Sequence, residues 1–357
     1  MNQIEKILAK KNWKIDQETK NRLTSLVSKF LAQQPNSGIA LIDIKQFSSY
    51  FVTHVYKLVC TKNNSPVNFY AKFAYLPKKY EKRQRERIKY EFDYTEKIYD
   101  LLKSSDGFDS VQPVAYYESE AAFVMSEMKG ERLDNLLVSS MRHLFKSDNT
   151  SLYQTMNNSG RWLLEFQTKM PVEGERLLDF STLESRVGQY IEKIAQLAPE
   201  LISQAFERKL KFKTSSLLNE FDADDFIQTA KHNDFAPWNL MKGESGIIGF
   251  DYADCELDSK YYDVYHYTRA LDTFKFKLVS NSQIIEECKQ HFLDGYGLKL
   301  SASHPTRLYF NLFFSLERVH MLLRARLRNK GVIGGIRTLS QKRHFNWYLN
   351  ELKMLSS

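Results

Sequence analysis

At 357 residues, the chain is long enough for two or three lobes at roughly 150 residues per domain. Hydrophobic residues make up 43% and charged residues 26%, which excludes a wholly disordered chain, a collagen and a disulfide miniprotein. Lys and Arg number 51 against 43 Asp and Glu, a net charge of +8. That modest excess suits anionic partners such as nucleotides, nucleic acid or acidic membrane surfaces, and equally a solvated surface.

In chain order, residues 16–34 predict an amphipathic helix. Asp16 is its N-cap, and Leu23, Leu26, Val27, Phe30 and Leu31 recur at helical spacing. The start, MNQIEKILAKK, carries charges inside its apolar stretch and no small-residue cleavage site, so no secretory signal is expected. GIALIDI (38–44), VYKLVC (55–60), VNFYAKF (67–73), SVQPVAYY (110–117) and AAFVMSEM (121–128) are short β-rich segments bounded by polar turns such as KNNSP. One helix interrupts them, residues 87–102, with Ile88, Phe92, Tyr99 and Leu102 on one face. The preceding charge run KKYEKRQRERIK (78–89) reads as a solvated loop and helix start, with phosphate or nucleic-acid binding as the alternative.

From about residue 131 the pattern turns helical, in 159–167, in 181–197 and in a late helix with Leu312, Leu316, Val319, Leu323 and Leu327 along one stripe. Two short apolar, strand-like pieces around 239–252 are the exception. A sheet with one helix, then mostly helices, is an α+β order and argues against a doubly wound fold. No apolar run approaches the roughly 18 residues that cross a bilayer. Cys60, Cys255 and Cys288 lie far apart with no CxxC spacing, so neither disulfides nor a cysteine zinc site is expected, and a reducing, cytoplasmic compartment fits.

The most informative stretch is KHNDFAPWNLMKGESGIIGFDYADCELDSKYYDVYHY (231–267). His232 and Asp234 are followed by Asn239, five residues after the Asp, and by Asp251 at the end of the run IIGF. An Asp and an Asn five apart on a loop can converge on one polyphosphate, the Asp facing an attacking hydroxyl. A second Asp leaving a short strand can complete a magnesium site, because Mg²⁺ takes hard oxygen ligands and keeps several waters. On their own, Asp234 reads equally as a helix cap and Asn239 as a turn residue; the ordered set is what carries weight.

HNDFAPWNLM followed by GIIGFDY resembles the catalytic loop and metal-binding Asp of the aminoglycoside phosphotransferase and choline kinase superfamily. These are small-molecule kinases of protein-kinase-like fold. The likeness implies a bilobal α+β fold: a helical extension over 1–37, a nucleotide-binding lobe over 38–127 built on a small antiparallel sheet with one helix, and a helical lobe over 128–357 with the catalytic loop and acceptor site. It implies ATP and Mg as cofactors and a small-molecule hydroxyl as partner. By this likeness Lys72, in the strand-like VNFYAKFA, binds the α- and β-phosphates and is held by Glu91, although alternation alone leaves Lys72 compatible with solvent and Glu86 and Asp93 are rival acids. AAFVMSEMKGERLDNLL (121–137) resembles the hinge, whose backbone around Ser126 to Met128 would bond a purine edge. Asp234 would orient the substrate hydroxyl and accept its proton, while Asn239 and Asp251 would bind Mg²⁺. His232 would brace the loop and Asp263 would buttress it. Trp238 is expected to pack against the helical lobe, with stacking on a substrate ring as the alternative.

The chain departs from the family in two places. The stretch matching the nucleotide-positioning loop, QFSSYFVTHVYKL (46–58), has no glycine, though Ser48, Ser49 and Thr53 could supply hydroxyls to phosphates. The hinge reads Ser126-Glu127-Met128, where an acidic residue often falls one position earlier. The resemblance favours a sugar of a cell-surface glycan or its precursor as acceptor. Choline or ethanolamine is a rival, against which Asp251-Tyr252-Ala253 lacks the acidic residue of those kinases. An aminoglycoside fits poorly with the basic face Arg318, His320, Arg324, Arg326 and Arg328, which reads as solvated or as the lining of an anionic substrate site. A non-catalytic pseudokinase is supported only by the glycine-free loop, and a nucleic-acid-binding protein only by pI.

Overall fold

The computed structural model describes residues 3–9, 11, 13, 16–34, 37–49, 53–142, 148–172, 177–277, 280–328 and 334–356, without the side chains of Gln3, Ser49, 327–328 and 334–341. Two compact units result: Met1–Gly130 with Gly243–Cys255, and Glu131–Lys242 with Glu256–Ser357.

In the first unit, helices α1 (Gln3–Ala9) and α2 (Gln17–Ala32) precede strands β1 (Ile39–Ser49), β2 (Thr53–Lys62) and β3 (Ser65–Ala74). The Asp16 carboxylate accepts the Thr19 amide at 2.7 Å, capping α2 as its sequence predicts. Leu23, Leu26, Val27 and Phe30 then bury against Leu41, Ile44, Tyr56, Leu58 and Phe73. Asn63 and Asn64 both adopt left-handed φ (49° and 65°) between β2 and β3, the conformation that a two-residue hairpin matching the sheet twist requires. Helix α3 (Glu81–Leu102) follows, then β4 (Phe108–Ser110), β5 (Pro113–Tyr117) and β6 (Ala122–Ser126). The main sheet runs β1-β2-β3-β6-β5, antiparallel throughout.

Two sequence boundaries are corrected. α3 begins inside the charge run rather than at residue 87, because its charges pair along the helix, Arg85 with Glu81 at 2.9 Å among them. Arg87 also binds Asp254 through Nε (3.1 Å) and Nη2 (2.6 Å). Those cations are occupied structurally. SVQPVAYY is two strands: β4 leaves the sheet to pair in parallel with a later strand, Ile247–Gly249. Residues 50–52, at the centre of the glycine-free stretch, lie outside the described residues, while Ser48 and Thr53 on either side are ladder residues, paired with Val55 and Ala74.

The second unit opens with β7 (Glu131–Arg132), α4 (Leu133–Arg142), α5 (Thr150–Lys169), α6 (Phe180–Leu197) and α7 (Gln204–Asn219). β8 (Gln228–Lys231) leads into the 232–239 loop, and β9 (Leu240–Lys242) pairs with β7. The strand Ile247–Gly249 of the first unit is β10; β11 (Glu256–Ser259) pairs antiparallel with β8. Helices α8 (Tyr262–Asp272), α9 (Ser282–Tyr296), α10 (Pro305–Arg328) and α11 (Gly334–Leu355) complete the unit. Every residue of α8 is buried, as are Leu312, Leu316, Val319 and Leu323 of the predicted stripe; the side chain of Leu327 lies outside the described residues.

α5 and α9 meet backbone to backbone. A Cβ on Gly160 would stand 2.1 Å from the Phe292 carbonyl oxygen, and one on Gly295 would stand 1.9 Å from that of Asn157. This close approach seats Trp162 and Phe292 on the ring of Phe235, 5.6 and 6.2 Å between centroids, so it supports the 232–239 loop. Gly160→Ala is expected to cost about 3 kcal/mol, since backbone cannot yield as a flexible side chain does. The check is a lowered denaturation midpoint at unchanged m-value. Among the described residues no helix is long and apolar enough to cross a membrane, and all three cysteines are buried and free.

Candidate active site

In the first unit, β3 alternates as expected, with Phe69, Ala71 and Phe73 on the face covered by α2. Lys72 therefore points to the other face, where α3 lies. It is 7% exposed and Glu91, on α3, is 2% exposed. Lys72 Nζ donates to Glu91 Oε1 at 2.5 Å and to Asp251 Oδ1 at 2.7 Å. Burial by itself would lower the Lys72 pKa; the facing carboxylates of Asp251 and Glu91 reverse this and hold it above the usual lysine range. Burial pushes the Glu91 pKa upward against the opposing pull of Lys72. Glu86 and Asp93, the rival acids, pair instead with Lys82 and Lys89 on the surface of α3.

Asp251 follows β10 with φ +70°, a left-handed conformation that Asp and Asn tolerate better than other side-chain-bearing residues. Its side chain is 41% exposed. It accepts from Lys72 at one oxygen and is part-exposed, an arrangement suited to a hard cation.

The segment 126–128 is less open than its sequence implies. The Ser126 amide donates to Gln112 O at 2.9 Å and the Glu127 amide to Asn68 O at 3.1 Å. Those two groups are committed to the sheet margin, a correction to the reading that the whole stretch is available to a purine. The Met128 amide has no hydrogen-bond partner among the described residues. The Glu127 carboxylate is held by Lys57 and by Asn68, at 2.7 Å from the latter.

In the second unit, the loop from His232 to Asn239 is pinned at its base by Asp263. This fully buried carboxylate accepts the His232 amide at 2.6 Å and the Asn233 amide at 3.1 Å. Burial raises its pKa to about 6, opposed by His232 and by the two amides. Asn233 takes φ +74°, which turns the chain so that Asp234 is presented outward, its carboxylate 53% exposed. Asp234 Oδ2 accepts from Asn239 Nδ2 at 2.9 Å and from Trp238 Nε1 at 3.2 Å. Because Asn239 also donates through Nδ2 to the Asp234 carbonyl at 2.9 Å, its Oδ1 is the atom left to act as a ligand. His232 is buried with its ring edge-on to Phe235, 5.8 Å between centroids.

Trp238 has a second role. It is half-buried within the helical unit, where it was expected to pack, and it also donates to Asp234 and lines a cavity of about 460 Å³ together with Asp134, Asn135, Arg142, Phe274 and Lys277. Sequence reasoning also missed His266, which lies buried on α8. Its Nδ1 lies 3.1 Å from the Phe235 carbonyl and its Nε2 4.0 Å from Asp234 Oδ1. The available signal was spacing: His266 falls one helical turn after Asp263 in YYDVYHY. On the predicted basic face, Arg326 lies over the Phe345 ring at 4.3 Å and His320 meets the Tyr190 ring at a tilt, 5.7 Å between centroids, so this face is only partly solvated. Among the described residues no three His, Cys, Asp or Glu side chains cluster as a metal site.

The fold is shared with small-molecule phosphotransferases. Over 92% of this chain and 99% of the other, it superposes on an ADP-bound aminoglycoside phosphotransferase, APH(2'')-Ib, with a TM-score of 0.54 and 12% identity. A putative aminoglycoside phosphotransferase from Ralstonia eutropha gives a TM-score of 0.60 at 13% identity, covering 93% and 98% of the two chains. A thermostable mutant of APH(4)-Ia, in complex with ADP and hygromycin B, gives 0.55 at 11% identity over 92% and 97%. No protein-family model matches the chain, and no curated protein sequence matches it.

Proposed function

We propose that the chain is an ATP- and magnesium-dependent phosphotransferase that moves the γ-phosphate to a hydroxyl of a small molecule. The observation that carries the reading is Lys72, buried between Glu91 and Asp251 at 2.5 and 2.7 Å. A buried lysine held by a helix carboxylate, with a second, solvent-reaching carboxylate on it, is costly as mere structure and is what charge neutralisation of a polyphosphate needs. In this reading Lys72 contacts the α- and β-phosphates and Glu91 fixes it. The Met128 amide and the Ser126 carbonyl meet the nucleotide base. Asp234 orients the acceptor hydroxyl and takes its proton, and Trp238 and Asn239 set the carboxylate's orientation.

Asp251 and the Oδ1 of Asn239 would hold magnesium. Two protein oxygens suit Mg²⁺, which fills its remaining positions with phosphate oxygens and water. The ion supplies neutralisation of phosphate charge. Positioning counts for most, since the transition state of phosphoryl transfer is loose and asks little of a base. The neighbours of known fold act on or bind aminoglycosides; for this chain a sugar of a cell-surface glycan or its precursor remains the preferred acceptor, on the likeness of its catalytic loop.

Thermal unfolding with Mg-ATP, Mg-GTP and each nucleotide without metal tests the proposal. At about 100 times its dissociation constant the nucleotide is expected to add roughly 2.7 kcal/mol of stability, with the gain lost on chelation. No shift with either nucleotide overturns the reading and leaves a kinase-like fold without nucleotide function.

A further inference from the structure

His266, buried on α8, meets the Phe235 carbonyl of the 232–239 loop with one ring nitrogen and faces Asp234 with the other. Its side chain is 9% exposed, against Tyr262 (rings near-parallel, 6.2 Å) and Phe314 (edge-on, 5.7 Å). Since a carbonyl oxygen only accepts, the 3.1 Å contact to Phe235 O puts the proton on Nδ1. Nε2 then carries a lone pair, as long as the ring is neutral. Burial and the charge of Arg318 on α10 keep it so, with smaller effects from Glu317 in the opposite sense and from His232; together they lower its pKa to about 4. The site thus presents two hydrogen-bond acceptors side by side, Nε2 of His266 and Oδ1 of Asp234, 4.0 Å apart.

A single hydroxyl has one proton and can satisfy only one of them. Satisfying both takes two O–H donors, which a bridging water or a pair of neighbouring hydroxyls provides, each at about 2.8 Å from its acceptor. An ammonium would also donate, and the Asp234 carboxylate would attract it, so ethanolamine is tested beside the sugars. Resting on the phosphotransferase reading, we propose that the acceptor is a vicinal diol, as on a sugar ring: one hydroxyl faces Asp234 and is phosphorylated, and its neighbour donates to His266 Nε2. His266 is then a specificity residue that contacts substrate. Choline, with one hydroxyl and no second donor, is the poor substrate.

The experiment measures ADP release from Mg-ATP with D-glucose, D-galactose, D-mannose and D-ribose, their monodeoxy forms, choline and ethanolamine. The enzymes are wild type, His266→Asn and His266→Gln. Asn keeps an amide donor near the Nδ1 position for Phe235 and loses the distal acceptor; Gln can return an acceptor near Nε2. In the wild type, removing the hydroxyl next to the phosphorylated one is expected to lower kcat/KM by roughly 10- to 100-fold, the effect of one buried acceptor left unpaired. In His266→Asn that difference should shrink to less than about threefold, and in His266→Gln it should return. Loss of packing alone would lower all acceptors together and leave the ratio intact.

Choline or ethanolamine preferred over every sugar overturns the inference, as does a deoxy penalty that persists in His266→Asn. If no acceptor is turned over while Mg-ATP still stabilises the protein, the diol inference falls and nucleotide binding stands. If Mg-ATP gives no stabilisation, the kinase reading itself has failed.

Discussion

Asp234→Asn is expected to lower kcat/KM for phosphoryl transfer by roughly 10²- to 10⁴-fold while leaving the Mg-ATP thermal shift intact. The substitution is nearly isosteric, and the loop's own bonds dictate how it settles. Trp238 Nε1 and Asn239 Nδ2 both donate to Asp234 Oδ2, so the new amide turns its carbonyl toward them. Its NH₂ group then replaces Oδ1, the oxygen that lies 4.0 Å from His266 Nε2. Where the acceptor hydroxyl met a carboxylate oxygen, it now meets a donor. The hydroxyl is misoriented and its proton has no destination. Asp263 still holds the His232 and Asn233 amides, so the loop keeps its shape. Steady-state kinetics and nucleotide-dependent unfolding on the same preparation separate the two effects. A loss below tenfold removes Asp234 from the chemistry, and a parallel loss of the nucleotide shift assigns it to binding or folding instead.

How much of this was legible in sequence depends on how local the cause is. The helix capped by Asp16 and the Asn63-Asn64 hairpin are set by neighbouring residues, and both were readable. Lys72, Glu91 and Asp251 were found as a motif, yet their exposure was not. Alternation in β3 places Lys72 opposite Phe73, but only the arrival of α3 on that face decides between solvent and burial. The start of α3 was misplaced because its ion pairs at i,i+4 look, as text, like an unstructured charge run. The commitment of the Ser126 and Glu127 amides depends on where Gln112 and Asn68 fall in the sheet, 14 and 59 residues away. His266 was missed for a similar reason. A histidine among tyrosines on a helix reads as core; its function depends on which of its two nitrogens meets a carbonyl, and that carbonyl belongs to Phe235, 31 residues earlier in the chain.

Asp251→Asn is the sharpest test of the metal assignment, because the site isolates charge from geometry. The residue has φ +70°, where Asn is among the best-tolerated side chains, so no backbone strain is introduced. The Asn carbonyl can still accept from Lys72, which keeps its other partner, Glu91, at 2.5 Å. The Asp251 charge favours the protonated Lys72 and disfavours the ionised Glu91, so its removal has opposing effects on the two, and the nucleotide-free protein should unfold within about 1 kcal/mol of wild type. The metal term has no such compensation. A neutral amide is a weaker ligand for Mg²⁺ than a carboxylate, so the magnesium-dependent part of the nucleotide stabilisation, roughly 2.7 kcal/mol at 100 times the wild-type dissociation constant, is expected to disappear. Phosphoryl transfer should fall with it by 10²-fold or more, on the order of one lost electrostatic contact to developing charge. A Mg-dependent shift that survives in the variant would move the metal site elsewhere, and Asp251 would then be a structural counter-ion of Lys72 alone.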